Sequence, residues 1–141
     1  TAAGVVASLR EGAIRLSRVT APIMRERKWG RMVHISSTLA VGGAAGAEYY
    51  AAAKAALHGF SRSAAFSLGK DGDILTNVVM LGLTRTDTYT TITDATGDYY
   101  SSLAPIGRLL DAEEAVRPIA YLSSTANTGI TGQVIPVSGG V

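Results

Sequence analysis

The sequence contains no cysteine and little charge. Without a thiol, it can form no disulfide framework, thiolate metal site or cysteine nucleophile. Charged residues make up only 17% of the chain, and the net charge of +2 includes no basic run. This balance excludes a protein that binds nucleic acid through a basic surface. A chain so poor in charge is expected to hide much of its surface against another subunit or another part of itself.

Long apolar runs are also missing, and none reaches the roughly 18 residues of a membrane-spanning helix. No signal peptide is visible, and the chain starts with Thr1 rather than Met. We therefore expect a cytoplasmic piece that is not the whole gene product. Apolar residues still reach 47% of the 141 residues, enough for the core of a single domain.

Apolar spacing predicts three helices that alternate with three short strands. Gly30 is the expected stop after the first helix, and Asp111 with Glu114 predicts a capping box at the third. The predicted helices cover residues 4–28, 48–68 and 111–123, and the strands cover 31–36, 74–80 and 133–137. Residues 38–46 are predicted as a small-residue loop and 83–104 as a functional loop or mobile lid. This alternation is typical of an α/β fold with a parallel sheet, whose site lies at the carboxyl ends of the strands.

Tyr50 and Lys54 are four residues apart at the start of the second helix, so both side chains lie on one face. A neighbouring ammonium favours the phenolate form of a tyrosine, which makes such a pair capable of acid–base chemistry. An exposed pair on an alanine-rich helix is the alternative interpretation. Tyr49 has no such cation, because Ala53 is at the corresponding position.

Ser36 and Ser37 end the first strand, thirteen residues before Tyr50. A hydroxyl there could donate to a substrate oxygen as charge develops on it. Alternatively, both serines only satisfy backbone groups of a turn. Since neighbouring strand residues point to opposite faces, only one of the two can face a site.

Five segments together resemble the short-chain dehydrogenase/reductase family, in order and in spacing. They are GRMVHISS at 30–37, YAAAK at 50–54, NVVMLG at 77–82, GRL at 107–109, and ITGQVI at 130–135 followed by Gly139-Gly140. The ketoacyl-reductase-like and glucose-dehydrogenase-like members are the most similar. The resemblance covers essentially the whole chain but only the carboxy-terminal part of the family domain. It implies a single partial domain over 1–141, part of a Rossmann-like, doubly wound parallel sheet.

The resemblance also implies an NAD(P)-dependent oxidoreductase that transfers a hydride between the nicotinamide and a ketone or secondary alcohol. Ser37 would polarise the substrate, Tyr50 would be the general acid/base, and Lys54 would hold the nicotinamide ribose and favour the Tyr50 phenolate. Gly82, Thr84 and Thr86 would hold the carboxamide, while the lid would run from Asp87 to Ala104. NADP is slightly favoured over NAD, and a homodimer or homotetramer is expected.

Several family features are absent. The glycine-rich phosphate loop would precede Thr1, and Leu81 stands where the family has proline. No asparagine lies near Leu9, where the family's proton relay has one. His34 is interpreted as a packed strand residue, His58 has no evident partner, and no cluster has the spacing of metal ligands. Two alternatives therefore stay open. One is a catalytically weak or inactive remnant that serves as an oligomerisation or ligand-binding module, and the other is a whole enzyme whose first half was cleaved, disordered or never built.

Overall fold

The computed structural model describes residues 2–87 and 93–141. For the helical residues 2, 3, 5, 6, 8–10 and 93–95 it describes the backbone only. The chain contains α1 (Ala2–Arg27), β1 (Trp29–Ser37), α2 (Leu39–Gly42), α3 (Glu48–Leu68), β2 (Asp73–Leu81), β3 (Thr84–Arg85), α4 (Thr93–Leu103), β4 (Leu110–Asp111), α5 (Ala112–Ser123) and β5 (Val134–Val137). Within these ranges, no helix is long and apolar enough to cross a membrane.

The main sheet is parallel, with the strand order β1-β2-β5. In its register, Ser37 pairs with Leu81, and Leu81 pairs with Val137, so the three carboxyl ends lie side by side. Strands β3 and β4 form a separate two-stranded parallel sheet. The predicted α/β class and parallel sheet are confirmed.

The core lies between the sheet and the helices α1 and α3. Met32, Leu68 and Ile74 form its centre, because β1 and β2 present alternate apolar residues to these helices. Val78, Val79 and Leu57 are also fully buried. Strand β1 pairs with β2 alone, so its other edge is open between α1 and α5 within the described residues.

At the amino ends of the strands, Arg31 ties β1 to its neighbours. Its side chain is only 2% exposed and donates to the carboxylate of Asp73 at 2.9 Å, the carbonyl of Asp73 at 2.8 Å and the carbonyl of Asn127 at 2.8 Å. A buried guanidinium has to be paired and hydrogen-bonded in this way. This cluster fixes the end of the sheet that lies opposite the predicted site.

Three local expectations differ from the structure. Gly30 does not end α1: Lys28 takes the left-handed conformation with φ 56°, and Gly30 lies inside β1, where a Cβ would overlap the side chain of Met24. The loop predicted at 38–46 contains the short helix α2, and the loop predicted at 83–104 contains β3 and α4. Short or threonine-rich segments carry too weak a periodicity to predict these elements.

The helix ends at α3 and α5 agree with the sequence. Helix α3 ends at Leu68 with Gly69 as its cap residue, and the capping box of Asp111 and Glu114 is present. The carboxylate of Glu114 accepts the backbone N–H of Asp111 at 3.1 Å and is held by Arg108 at 2.7 Å. These hydrogen bonds lower the pKa of Glu114 to about 2.

Candidate active site

The two serines at the end of β1 point to opposite faces of the sheet. Ser36 is 2% exposed and lies under α3, where its hydroxyl contacts the carbonyl of Lys54 and the ring of His58. Ser37 is half-buried and lines a cavity of 320 Å³ at the carboxyl ends of the strands. Ser37 is thus the serine that can meet a ligand in this cavity.

This cavity brings together five of the six residues predicted for the site. They are Ser37, Tyr50, Gly82, Thr84 and Thr86. Thr38, Leu39, Leu83 and Tyr100 complete its lining. The strand ends converge because a parallel sheet places all its carboxyl ends at one edge, and α3 begins beside that edge.

Tyr50, and not Tyr49, faces the cavity. Tyr50 is 36% exposed, whereas Tyr49 is 63% exposed. Among the residues that the structure describes, the Tyr50 hydroxyl has no hydrogen-bond partner. Its oxygen is therefore available to a substrate.

Lys54 is the one predicted site residue that does not line the cavity. Its ammonium donates to the carbonyl of Ile35 at 2.9 Å and lies 5.8 Å from the ring centroid of Tyr50. Burial lowers the pKa of Lys54, because the charged form loses hydration. An ammonium has three donors, so two N–H groups remain beyond the bond to Ile35.

Ser37 also has a local role in the turn that follows β1. Its hydroxyl oxygen accepts the backbone N–H of Leu39 at 3.2 Å. A hydroxyl that accepts one bond keeps its own proton to donate. The backbone role and a role toward a substrate are therefore compatible, and the two interpretations of Ser37 do not exclude each other.

The two threonines that line the cavity differ in whether their hydroxyl groups already have a hydrogen-bond partner. Thr84 donates its hydroxyl to the carbonyl of Gly82 at 3.1 Å. The Thr86 hydroxyl is buried and has no partner among the described residues. An unpaired buried hydroxyl costs roughly 1–3 kcal/mol, so a polar ligand group in the cavity would stabilise this arrangement.

Gly82 lies where β2 leaves the sheet and comes close to β5. A Cβ there would stand 2.7 Å from the Cβ of Ser138, so no larger residue fits without a shift. The backbone N–H of Gly82 donates to Val137 at 3.2 Å, and that of Thr38 donates to Leu81 at 2.9 Å. These bonds hold the turn although Leu81 replaces the family proline.

Sequence reasoning missed two residues near the site. His58, for which no partner was evident, lies 2.7 Å from the Ser36 hydroxyl through Nε2. The same spacing of four that links Tyr50 to Lys54 also links Lys54 to His58, and this signal could have found it. Tyr100, inside the predicted lid, lines the cavity from α4.

His34 is buried, as expected for a packed strand residue. It is 7% exposed and meets the ring of Phe60 edge-on at 5.4 Å. Its Nε2 has no hydrogen-bond partner among the described residues, and burial lowers its pKa. The side chains of residues 8–10, where the family relay has its asparagine, and residues 88–92 of the predicted lid lie outside the described part.

Comparisons with known proteins agree with this fold. Residues 5–141 match the family model described as enoyl-(acyl carrier protein) reductase. The 3-oxoacyl-[acyl-carrier-protein] reductase FabG of Pseudomonas aeruginosa is 36% identical over 127 residues, which are 90% of this chain and 51% of that protein. Nodulation protein G of Azospirillum brasilense is 31% identical over 137 residues, covering 97% of this chain and 55% of that protein.

Solved structures with a similar fold include two proteins that cover most of this chain. TT0495 protein from Thermus thermophilus superposes with a TM-score of 0.87 at 29% identity, covering 96% of this chain and 58% of that one. The 3-oxoacyl (acyl-carrier-protein) reductase from Agrobacterium tumefaciens C58, solved with NADP bound, has a TM-score of 0.86 at 30% identity, with coverages of 94% and 53%.

The element order and the parallel strand order define an α/β protein with a Rossmann-like sheet. More specifically, the chain belongs to the short-chain dehydrogenase/reductase family. It spans about half the length of the curated relatives it matches and corresponds to the carboxy-terminal part of the family domain.

Proposed function

We propose that these 141 residues are the catalytic and substrate-side part of a single domain in an NAD(P)-dependent oxidoreductase about twice as long. The substrate is a small molecule that carries a ketone or a secondary alcohol. The single observation that carries the proposal is the shared cavity, in which Ser37, Tyr50 and Thr86 meet at the carboxyl edge of a parallel sheet. Family membership supports the oxidoreductase class.

In the direction of reduction, Ser37 donates a hydrogen bond to the substrate carbonyl oxygen, where negative charge develops. Tyr50 gives its phenolic proton to that same oxygen as the carbonyl carbon is reduced. In the direction of oxidation, the Tyr50 phenolate removes the proton of the alcohol. Among the described residues, the Tyr50 hydroxyl has no hydrogen-bond partner and the Ser37 hydroxyl has no acceptor for its proton, which supports these roles.

Lys54 serves Tyr50 electrostatically and also holds the cofactor. Its ammonium lies 5.8 Å from the Tyr50 ring centroid, and a nearby positive charge favours the phenolate. Two of its N–H groups have no acceptor in the described part of the chain and would bind the ribose hydroxyls of the nicotinamide nucleotide. Because burial lowers the pKa of Lys54, its proton is held less tightly than that of an exposed lysine.

The residues present fit a nicotinamide cofactor. Thr86 offers a buried hydroxyl without a partner among the described residues, and a carboxamide can both accept from it and donate to it. The N–H of Gly82 already donates to Val137, so Gly82 would contribute its carbonyl oxygen and Thr84 its backbone groups at the same edge. When bound, the nicotinamide supplies or accepts the hydride. NADP is favoured, because a relative of known structure was solved with NADP bound.

The test uses the protein expressed from its own gene with the sequence encoded upstream of Thr1, here called the extended protein. It should oxidise NADPH or NADH in the presence of one or more members of a panel of ketones. Ser37→Ala should lower kcat by roughly 10²- to 10³-fold, as the loss of one oxyanion donor does. Ser67→Ala, an exposed serine on α3, is the matched control and should leave kcat unchanged.

The second candidate is a module that acts through association, without catalysis. Exposed apolar side chains favour it: Leu16, Val19 and Ile23 on α1, and Phe66 on α3. An extended protein that binds NADPH but reduces no ketone of the panel would support this candidate and contradict the first. The cytoplasmic location expected from the sequence stays a prediction.

A further inference from the structure

The Ser36 hydroxyl, which lies outside the proposed catalytic cavity, has two partners on α3. Its oxygen lies 3.2 Å from the backbone carbonyl of Lys54 and 2.7 Å from Nε2 of His58. Ser36 is 2% exposed, so water does not replace these partners. A buried hydroxyl needs hydrogen-bond partners within the protein, and the Lys54 carbonyl and the His58 ring supply them for Ser36.

The donation of Ser36 to the carbonyl of Lys54 decides which tautomer of His58 suits the second bond. A serine hydroxyl has one proton, and a carbonyl oxygen can only accept. Ser36 therefore donates to the carbonyl of Lys54, and its oxygen accepts the Nε2–H of His58. Burial lowers the pKa of His58, which favours the neutral ring, and the bond to Ser36 then requires its proton on Nε2.

Lys54 returns a bond to the same strand. Its ammonium donates to the carbonyl of Ile35, the residue before Ser36, at 2.9 Å. The end of β1 and one turn of α3 are thus joined in both directions, through Ile35, Ser36, Lys54 and His58. We name these four residues the β1–α3 clasp.

We propose that Ser36 and His58 are positioning residues, which set the placement of Ser37 and Lys54 through this clasp. The proposal rests on the function proposed above. Ser37 follows Ser36 directly, and the Ser36 hydroxyl donates to the backbone carbonyl of Lys54 itself. An error of about 1 Å in such a placement can cost on the order of 10²-fold in rate.

The chain offers a matched control for the alternative that Ser36 only stabilises the core. Ser61 is also a buried serine of the α3 interface, 1% exposed, and its hydroxyl lies 3.1 Å from that of Thr76 on β2. It joins α3 to the sheet without contacting Lys54 or Ser37. Ser36→Ala and Ser61→Ala therefore remove the same group from the same interface at different distances from the site.

The experiment compares kcat, KM and the thermal midpoint of these variants in the extended protein. Ser36→Ala should lower kcat by about tenfold or more and weaken NADPH binding, since it releases the turn that carries Lys54. Ser61→Ala should lower the thermal midpoint by about as much as Ser36→Ala does, but it should leave kcat unchanged. Equal kcat values for the two variants would overturn the clasp as a positioning device.

Two substitutions of His58 keep the proposal testable if Ser36→Ala fails to fold. Glutamine can place an N–H near the position of Nε2, whereas leucine cannot. His58→Gln should retain most of kcat, and His58→Leu should lose about as much as Ser36→Ala. The same kcat for both His58 variants would contradict the proposal, whereas an inactive unaltered extended protein would contradict the proposed function instead. In that case, the ¹⁵N resonances of the His58 ring test the clasp, because they report which ring nitrogen carries the proton. A neutral ring with the proton on Nε2 would support the clasp, and a proton on Nδ1 would contradict it.

Discussion

The ammonium of Lys54 lies 5.8 Å from the ring centroid of Tyr50 and is held there by the carbonyl of Ile35 at 2.9 Å. The helical spacing of four residues brings the two side chains to one face, but the strand carbonyl fixes where the charge stands. The tyrosine faces the cavity, and the lysine stays behind it. This arrangement fits the proposed function, in which Tyr50 exchanges a proton and Lys54 stabilises the Tyr50 phenolate.

Replacing the proposed acid tests the mechanism directly. In the extended protein, Tyr50→Phe should lower kcat by roughly 10²- to 10⁴-fold, because a general acid/base is lost while the ring remains. The dissociation constant of NADPH, measured by calorimetry, should stay nearly unchanged. Tyr49→Phe is the control, since Tyr49 does not line the cavity. Unchanged turnover in Tyr50→Phe would exclude Tyr50 as the proton carrier.

Lys54→Met should affect two quantities at once. It removes the positive charge near Tyr50, which lowers kcat, and it removes donors to the ribose, which raises the dissociation constant of NADPH. Stopped-flow and calorimetric measurements separate the two effects. Lys70→Met changes an exposed lysine beyond the end of α3 and should alter neither. If the variant loses rate but binds NADPH as tightly as before, Lys54 does not bind the ribose.

Association should occur through α1 and α3. Val19 and Phe66 are each 67% exposed, an unusual position for large apolar side chains unless a partner covers them. We expect a dimer or tetramer of the extended protein with isologous contacts, visible by light scattering at micromolar concentration. Val19→Glu with Phe66→Glu should shift the mass toward the monomer, whereas Ser102→Glu, at an exposed polar residue of α4, should not. A monomeric unaltered protein would count against this surface.

Acid should destabilise the fold through two histidines. Burial lowers the pKa of both His34 and His58 below the usual 6.5, so the unfolded chain binds more protons as the pH falls through that value. The free energy of unfolding is therefore highest above the pKa that these histidines have in the unfolded chain, and it declines as the pH falls below that value. His34→Leu should reduce this acid loss and raise stability by about 1 kcal/mol, since Nε2 of His34 is buried without a partner among the described residues. Urea titrations of the extended protein at several pH values measure both effects; an acid loss that His34→Leu leaves unchanged would contradict the assignment.

The 141 residues alone should not bind the nucleotide tightly. A dinucleotide pyrophosphate requires a glycine-rich turn before a helix, and no such turn precedes β1 in this sequence. The open edge of β1 should also favour aggregation or strand pairing of the isolated chain. Calorimetry of NADPH and NADH against residues 1–141, beside the extended protein, checks this expectation. Micromolar affinity of the isolated chain would mean that the cofactor site is misplaced.

The main helices and strands, the parallel sheet and the family could be predicted from the amino-acid sequence, because periodicity and ordered motifs are local properties of the chain. The spacing of Tyr50 and Lys54 already placed both on one helix face, and the alternation at Ser36 and Ser37 already required that only one face the site. The family resemblance already named Ser37 as the serine of the site, but the partner of His58 depended on how α3 packs against β1. The same holds for Thr86, whose buried hydroxyl, unpartnered among the described residues, is visible only in the cavity. Helix α4 escaped prediction because its threonine-rich sequence has a weak periodicity. The left-handed Lys28 escaped it because its carbonyl accepts the N–H of Asp73 at 2.9 Å, a contact that local preferences do not show.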